Sequence, residues 1–208
     1  MSKLKVWGHP RSINVQKVLW ALDELGLSYE RVDAGGSFGK NKEPAYLALN
    51  PNGLIPTLVD NGEALWESNA ILRYLAAQYG KAPFHPSSAV ARARADAWTD
   101  WYSSTLWQNV RPLVVQLVRT EEPKRDKGVI EQSKQASVAA VSLLDKHLEK
   151  QAYVLGDEFT WGDIPIGSAL QRWYQLPIER PAHKALDAYY ARITERPAFK
   201  RWIDLPLA

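Results

Sequence analysis

The sequence predicts two domains, a small α/β domain followed by an all-helical one, and three observations lead there. The first third alternates strand and helix signals, a stretch rich in proline and glycine follows at 80–88, and beyond it the apolar spacing is helical almost throughout. Leu4–Trp7 is a short, mostly apolar run stopped by Gly8-His9-Pro10, a strand entering a loop. Val15, Val18, Leu19, Leu22 and Leu25 follow an i, i+3, i+4, i+7 pattern closed by Gly26, an amphipathic helix with its C-terminal glycine. Tyr29–Val32 reads as a second strand, and glycine-rich loop 35–39 follows it. Segments 57–59 and 64–66 flank Asp60-Asn61-Gly62, a hairpin signal, and a helix is expected over Ser68–Tyr79. The order βαβ, connection, ββα favours a parallel pair extended by an antiparallel hairpin into a small mixed sheet.

Beyond the linker, 89–118 reads as one long helix carrying Trp98, Trp101, Tyr102, Leu106 and Trp107, with a kink at Pro112. A second helix is expected over 124–150, with Ala136, Ala140, Leu143, Leu144 and Leu148 on its apolar face. Three shorter helices are expected near 163–174, 184–196 and 198–203. The expected domains are therefore 1–80 and 88–208, joined by linker 81–87.

Composition narrows the function. The 208 residues are 46% hydrophobic and 24% charged, an ordinary globular balance. No apolar run approaches the roughly 20 residues that span a bilayer, and the first residues turn polar too soon for a signal peptide, so a cytoplasmic protein without membrane partners is expected. The chain has no cysteine, which excludes disulfides, thiolate metal sites and a nucleophile that is the protein's own thiol. His9, His85, His147 and His183 are too scattered for metal-ligand spacing, so no metal is expected. Net charge is only +3, and the basic cluster Arg192, Arg196, Lys200, Arg201 is interrupted by Glu195 and followed by Asp204. It reads as a solvated helix face and makes no case for nucleic acid.

Chemistry concentrates in two segments. In Asn50-Pro51-Asn52-Gly53-Leu54-Ile55-Pro56-Thr57, Pro56 stands just before a strand, where it cannot donate to the ladder. Alone it reads as a trans turn; a cis Ile55–Pro56 bond would instead leave the N–H and C=O of Ile55 facing outward, able to pair with an extended peptide. Glu67-Ser68 opens the next helix, where unpaired N–H groups and the dipole form an anion site. Ser68 can add its hydroxyl to a carboxylate and Glu67 can pair with an ammonium, which suits the zwitterionic end of an amino acid; simple capping is the other reading.

Together, Asn50-Pro51-Asn52-Gly53-Leu54-Ile55-Pro56-Thr57-Leu58-Val59-Asp60 and Glu67-Ser68-Asn69-Ala70-Ile71-Leu72 resemble the glutathione-binding signature of the cytosolic glutathione S-transferases. The resemblance covers nearly the whole chain and implies a thioredoxin-like first domain followed by an all-α domain. It also implies a cis Pro56, pairing of Ile55 with the cysteinyl backbone of glutathione, and a γ-glutamyl end held by Glu67 and Ser68. Tyr153-Val154-Leu155-Gly156 and Phe159-Thr160-Trp161-Gly162-Asp163-Ile164 match the family's C-terminal motif, with Thr160 expected to cap a helix, Asp163 at N3, and Phe159 and Ile164 as a hydrophobic staple.

His9-Pro10-Arg11-Ser12-Ile13-Asn14-Val15-Gln16-Lys17 resembles the serine-type, phi/theta-like classes, with a bacterial member as the nearest kind. By that resemblance Ser12 donates a hydrogen bond to the glutathione sulfur and favours the thiolate, reinforced by the adjacent helix start. A helix cap is the alternative for Ser12, and Asn14 is the rival donor, as in related disulfide reductases and peroxidases. His9 lines the loop. Asn41 and Lys42 align with the pair that contacts the glycine carboxylate, although relatives often carry histidine at the position of Asn41. Leu54 stands where the family usually has Gln or Glu, so a side-chain contact to the peptide is missing. The resemblance further implies an electrophile pocket walled by His9, Tyr102, Trp107, Val110 and Arg111, a homodimer in which Asp100 reaches the partner's site, and conjugation of glutathione to small hydrophobic electrophiles in detoxification. A glutathione-dependent reductase or peroxidase and a non-catalytic interaction module are the alternatives.

Overall fold

The computed structural model describes residues 4–207; residues 1–3 and 208 of the expected domains lie outside it. The chain divides into two compact units, Met1–Gly80 and Lys81–Ala208.

In the first unit, β1 (Leu4–Trp7), α1 (Ile13–Glu24), β2 (Tyr29–Val32), α2 (Pro44–Leu47), β3 (Thr57–Asp60), β4 (Glu63–Trp66) and α3 (Ser68–Tyr79) follow in order. The sheet runs β2-β1-β3-β4. β1 pairs parallel with β2, Leu4 opposite Tyr29, and antiparallel with β3, Val6 opposite Leu58. The expected mixed sheet is present. Asn61 and Gly62, both at positive φ (51° and 90°), make a two-residue turn between β3 and β4 that matches the right-handed strand twist.

Leu4, Val6 and Leu58 from the sheet, Val15, Val18, Leu19 and Leu22 from α1, and Ile71, Leu72 and Leu75 from α3 are all buried. Helix α1 is buried beyond its apolar stripe, including Gln16, Lys17 and Trp20. Its polar groups are matched: Lys17 Nζ donates to Asn69 Oδ1 at 2.7 Å and Trp20 Nε1 to Glu24 Oε1 at 2.8 Å. The four-residue α2, with Pro44 at its start, had no counterpart in the expected elements.

The second unit is helical. Residues expected to form one long helix give α4 (Ala89–Trp101), a π turn over Tyr102–Leu106, α5 (Trp107–Val114) and a second π turn over Val115–Arg119. Trp107 N–H bonds to Tyr102 C=O, five residues back. Pro112 sits inside α5, and the departures from α geometry fall in the turns on either side of it. Helix α6 runs over Lys127–Leu148, starting later than expected because Asp126 caps it, its Oδ1 accepting from Val129 N–H at 3.0 Å. Its buried face is Ser137, Ala140, Val141, Leu144 and Leu148, whereas Leu143 is 53% exposed. One residue is about 100° of helix rotation, which puts Leu143 beside the stripe and Val141 in it.

Helices α7 (Asp163–Gln175), α8 (Lys184–Thr194) and α9 (Pro197–Trp202) complete the unit. The expected capping motif is realised differently. The Thr160 hydroxyl donates to Asp163 Oδ2 at 3.1 Å instead of accepting from the helix, and Thr160 N–H donates to the same oxygen at 2.8 Å. Val154 N–H and Tyr189 O–H reach Oδ1 at 3.0 and 3.1 Å. Asp163 is thus a fully buried hub joining loop, helix start and α8. Phe159 and Ile164 are buried, but because the helix starts at Asp163 after Gly162, Asp163 is not at N3 and the pair does not stand at the N′ and N4 positions of the expected staple. The C-terminal cations cover aromatic faces as well as meeting solvent: Arg196 lies 3.8 Å from the Phe159 ring centre and Arg201 4.7 Å from that of Trp202.

Candidate functional site

The loop from β1 to α1 is held close. Gly8 N–H donates to Val32 C=O at 2.9 Å, and a Cβ on Gly8 would fall 2.5 Å from Val15 Cγ2, so only glycine allows this approach. Ser12 starts α1 in extended backbone geometry, yet its hydroxyl makes no capping bond. The capping reading of Ser12 therefore does not hold for its side chain, which is half-buried. Asn14, in the first turn, is exposed. His9 accepts from Arg11 N–H on Nδ1 at 3.0 Å and its ring lies 5.0 Å from that of Phe38. With Nδ1 so occupied, His9 shapes the loop.

The Ile55–Pro56 bond is cis. Among the described residues, neither Ile55 N–H nor its C=O has a hydrogen-bond partner. Behind this loop Tyr46, Asn50 and Thr57 are buried and linked, Tyr46 Oη lying 2.8 Å from Thr57 Oγ1. The Leu54 side chain points to solvent, 60% exposed.

At the start of α3, Glu67 adopts φ 66°, ψ 110°, a region a side chain with Cβ rarely enters. Such strain persists where surroundings demand it and concentrates at ligand sites. Glu67 is exposed, whereas Ser68 is buried with a hydroxyl that has no partner among the described residues. The buried Lys17 ammonium, held by Asn69, adds positive charge beside this helix start. One cleft joins these groups: Asn14, Asn50, Asn52, Leu54, Ile55, Pro56, Glu67 and Ser68 line it.

Asn41 and Lys42 stand beside the Asn52–Gly53 turn. Asn41 Nδ2 donates to Gly53 C=O at 2.7 Å and Lys42 Nζ to Asn52 C=O at 3.3 Å. Gly53 is at φ 60°, and a Cβ there would meet Asn41 O and Lys42 Nζ, each at 2.8 Å, so this turn needs glycine twice over.

Residues 2–77 match the family model for the glutathione S-transferase N-terminal domain, and residues 106–197 match that for the C-terminal domain. The chain is 41% identical over 207 residues to glutathione S-transferase GstB of Escherichia coli (strain K12), covering 99% of this chain and 100% of that one. The chain belongs to the glutathione S-transferase family. It is 35% identical to glutathione S-transferase 3 of Zea mays over 98% of this chain and 94% of that one. Its fold is similar to the theta-class glutathione S-transferase of Xanthomonas axonopodis pv. citri with glutathione bound, at TM-score 0.94 and 44% identity with both chains fully covered. Whole-chain similarity to enzymes of this family makes it a transferase and favours neither a reductase nor a non-catalytic module.

Of the expected site residues of this family member, Asn14, Ile55, Pro56, Glu67 and Ser68 share one cleft. Ser12 lies two residues before Asn14 at the same helix start. In the helical unit, Tyr102 and Val110 are buried at 2% and 0% exposure, so they serve packing and offer no open wall. Trp107 is half-buried, its ring stacked 6.5 Å from that of Tyr102, and Arg111 and Asp100 are exposed. This unit has its own cavity of about 310 Å³, lined by Arg94, Ala97, Trp98, His147, Gln151, Val154 and Leu155 and by none of the expected pocket residues. The residues sequence reasoning missed are Tyr46, Asn50, Thr57 and Lys17. Asn50 and Thr57 stood in the signature segment without an assigned role, and Lys17 had a signal as a cation set within an apolar helical run, whereas Tyr46 had none.

Proposed function

We propose that the chain is a serine-type, phi/theta-like glutathione S-transferase that activates the glutathione thiol through Ser12 and conjugates it to small hydrophobic electrophiles. The observation that carries this reading is the single cleft in which unpaired Ile55 backbone groups meet the start of α3 with Glu67 and Ser68. An extended peptide needs backbone partners at its middle, which Ile55 offers, and charge partners at an amino-acid end. Glu67 suits the ammonium of the γ-glutamyl group, while Ser68 and the N–H groups of α3 suit its carboxylate. The Lys42 ammonium suits the glycine carboxylate; Asn41 has spent its amide donor on Gly53 and acts through the turn.

With the peptide so held, its sulfur lies toward the start of α1. The Ser12 hydroxyl, uncommitted to capping, donates to the sulfur, and the helix dipole adds to the stabilisation of the thiolate. The thiol proton leaves to solvent, and the thiolate sulfur forms the new bond to the electrophilic carbon as that carbon's bond to its leaving group breaks, the leaving group departing to solvent with the bonding pair. Asn14 lines the cleft and is the rival donor. Trp107 and Arg111 are the accessible residues for the electrophile side, with His9 at the loop. A cytoplasmic homodimer with Asp100 toward the partner, acting in detoxification, with a glutathione-binding domain at 1–80, linker 81–87 and helical domain 88–208, completes the proposal.

Calorimetry tests it. Wild type binds glutathione, and Glu67→Gly weakens binding about tenfold or more through loss of a charged partner. The same substitution leaves stability within about 1 kcal/mol, because glycine relieves the strained backbone while adding chain entropy. Absence of glutathione binding by wild type overturns the reading.

A further inference from the structure

The peptide group joining Leu54 to Ile55 is fixed from behind by two buried side chains. Tyr46 Oη donates to Leu54 C=O at 2.6 Å, and Asn50 Nδ2 donates to the same oxygen at 2.8 Å. Both residues are 2% exposed. The donors are themselves held. Thr57 Oγ1 lies 2.8 Å from Tyr46 Oη and 3.3 Å from Asn50 Nδ2, while Asn50 Oδ1 accepts from Asn52 N–H at 3.1 Å and Asn52 Nδ2 at 3.2 Å. One proton arrangement satisfies the group: Tyr46 donates to the carbonyl, Thr57 donates to Tyr46, and the Asn50 amide donates to the carbonyl and to Thr57.

The consequence follows from amide geometry. The Leu54–Ile55 bond is not among the cis bonds, and in a planar trans peptide the C=O and N–H point in opposite directions. Two donors that hold the Leu54 carbonyl inward therefore aim the Ile55 N–H outward. Ile55 lines the cleft with Glu67 and Ser68, and its N–H has no partner among the described residues.

We infer that Tyr46 and Asn50 are positioning residues that set the direction of the Ile55 N–H and thereby the enzyme's affinity for the glutathione backbone, an inference that rests on the glutathione reading of the cleft. Tyr46 is not among the residues that line the cleft, and Asn50, which is, has its amide groups committed to Leu54, Thr57 and Asn52. Tyr46 is carried by the short helix α2 and Asn50 by the turn after it, so the segment between the sheet's second and third strands is built to present one amide. The Tyr46 phenol is raised above its ordinary value by burial, which keeps it a donor at every physiological pH. Its ring meets Trp7 edge-on at 5.7 Å, a contact that phenylalanine preserves.

The test is the split between KM and kcat. In Tyr46→Phe, KM for glutathione rises about tenfold while kcat and the pKa of the bound thiol stay at wild-type values, because Ser12 lies on a different element. Asn50→Ser, which removes the second donor, gives the same signature and serves if Tyr46→Phe does not fold. Hydrogen exchange adds a direct readout: saturating glutathione slows exchange of the Ile55 amide about tenfold in wild type, and this protection falls in both variants. A purely structural role moves only the melting temperature. Folded variants with unchanged KM and unchanged Ile55 protection overturn the inference. Wild type that binds no glutathione overturns the reading of the cleft itself, a result distinct from unchanged variants of a binding enzyme.

Discussion

Asp163→Ala is expected to destabilise the helical unit by about 3–5 kcal/mol, because two backbone N–H groups and two hydroxyls lose their buried acceptor at once. Thr160 N–H and Val154 N–H are the decisive pair, since a backbone donor cannot swing toward another partner as a hydroxyl can. Tyr189, which carries α8 onto the hub, loses its bond as well. For a chain of this size that loss lowers the melting temperature by roughly 10 °C. Calorimetric unfolding checks it, and a shift under about 2 °C contradicts the hub role.

The same residue gives a pH dependence of known sign. Burial, the largest cause, pushes the Asp163 carboxyl up from 3.8 to about 6, against the opposing hydrogen bonds from Val154, Thr160 and Tyr189. A raised value means the folded state holds the proton more tightly than the unfolded one. This contribution to stability is present below the unfolded value of 3.8 and is lost as the pH rises through about 6. Asp163→Asn, which cannot titrate, is therefore expected to lack this slope; denaturant midpoints of both proteins measured between about pH 4 and pH 7 reveal it.

Ser12→Ala is the second large effect. A hydrogen bond to a charged group contributes about 1.5–3 kcal/mol, and each 1.36 kcal/mol is tenfold, so conjugation turnover at neutral pH falls roughly 10- to 100-fold. On the proposed reading, glutathione affinity changes little, because Ile55, Glu67 and Ser68 hold the peptide there and the sulfur does not. Asn14→Ala keeps most conjugation activity. Steady-state conjugation and peroxide assays on both variants check the division, and a loss confined to Asn14→Ala assigns the donor to Asn14.

The sheet, the hairpin and most helices were legible because their signals are local. Gly26 closes α1, and Asn61-Gly62 dictates a tight turn. The cis bond was readable only jointly with the downstream Glu-Ser pair. Other features are not written locally. Tyr46 sits on a four-residue helix too short to show periodicity, and its role depends on a carbonyl eight residues away. Glu67 occupies a positive φ with no glycine or asparagine to announce it. Leu143 and Val141 differ by a fraction of a turn, so the α6 stripe could not be placed by spacing alone. Tyr102 and Val110 share a helical face with exposed neighbours, and only packing reveals them as buried.

The most direct measurement of the central claim is the ultraviolet titration of the thiol of bound glutathione in wild type, Ser12→Ala and Asn14→Ala. The account predicts a wild-type value well below the roughly 8.5 of a free thiol, a rise of about 1–2 pH units in Ser12→Ala, and little change in Asn14→Ala. A bound thiol whose titration is unmoved by Ser12→Ala contradicts it.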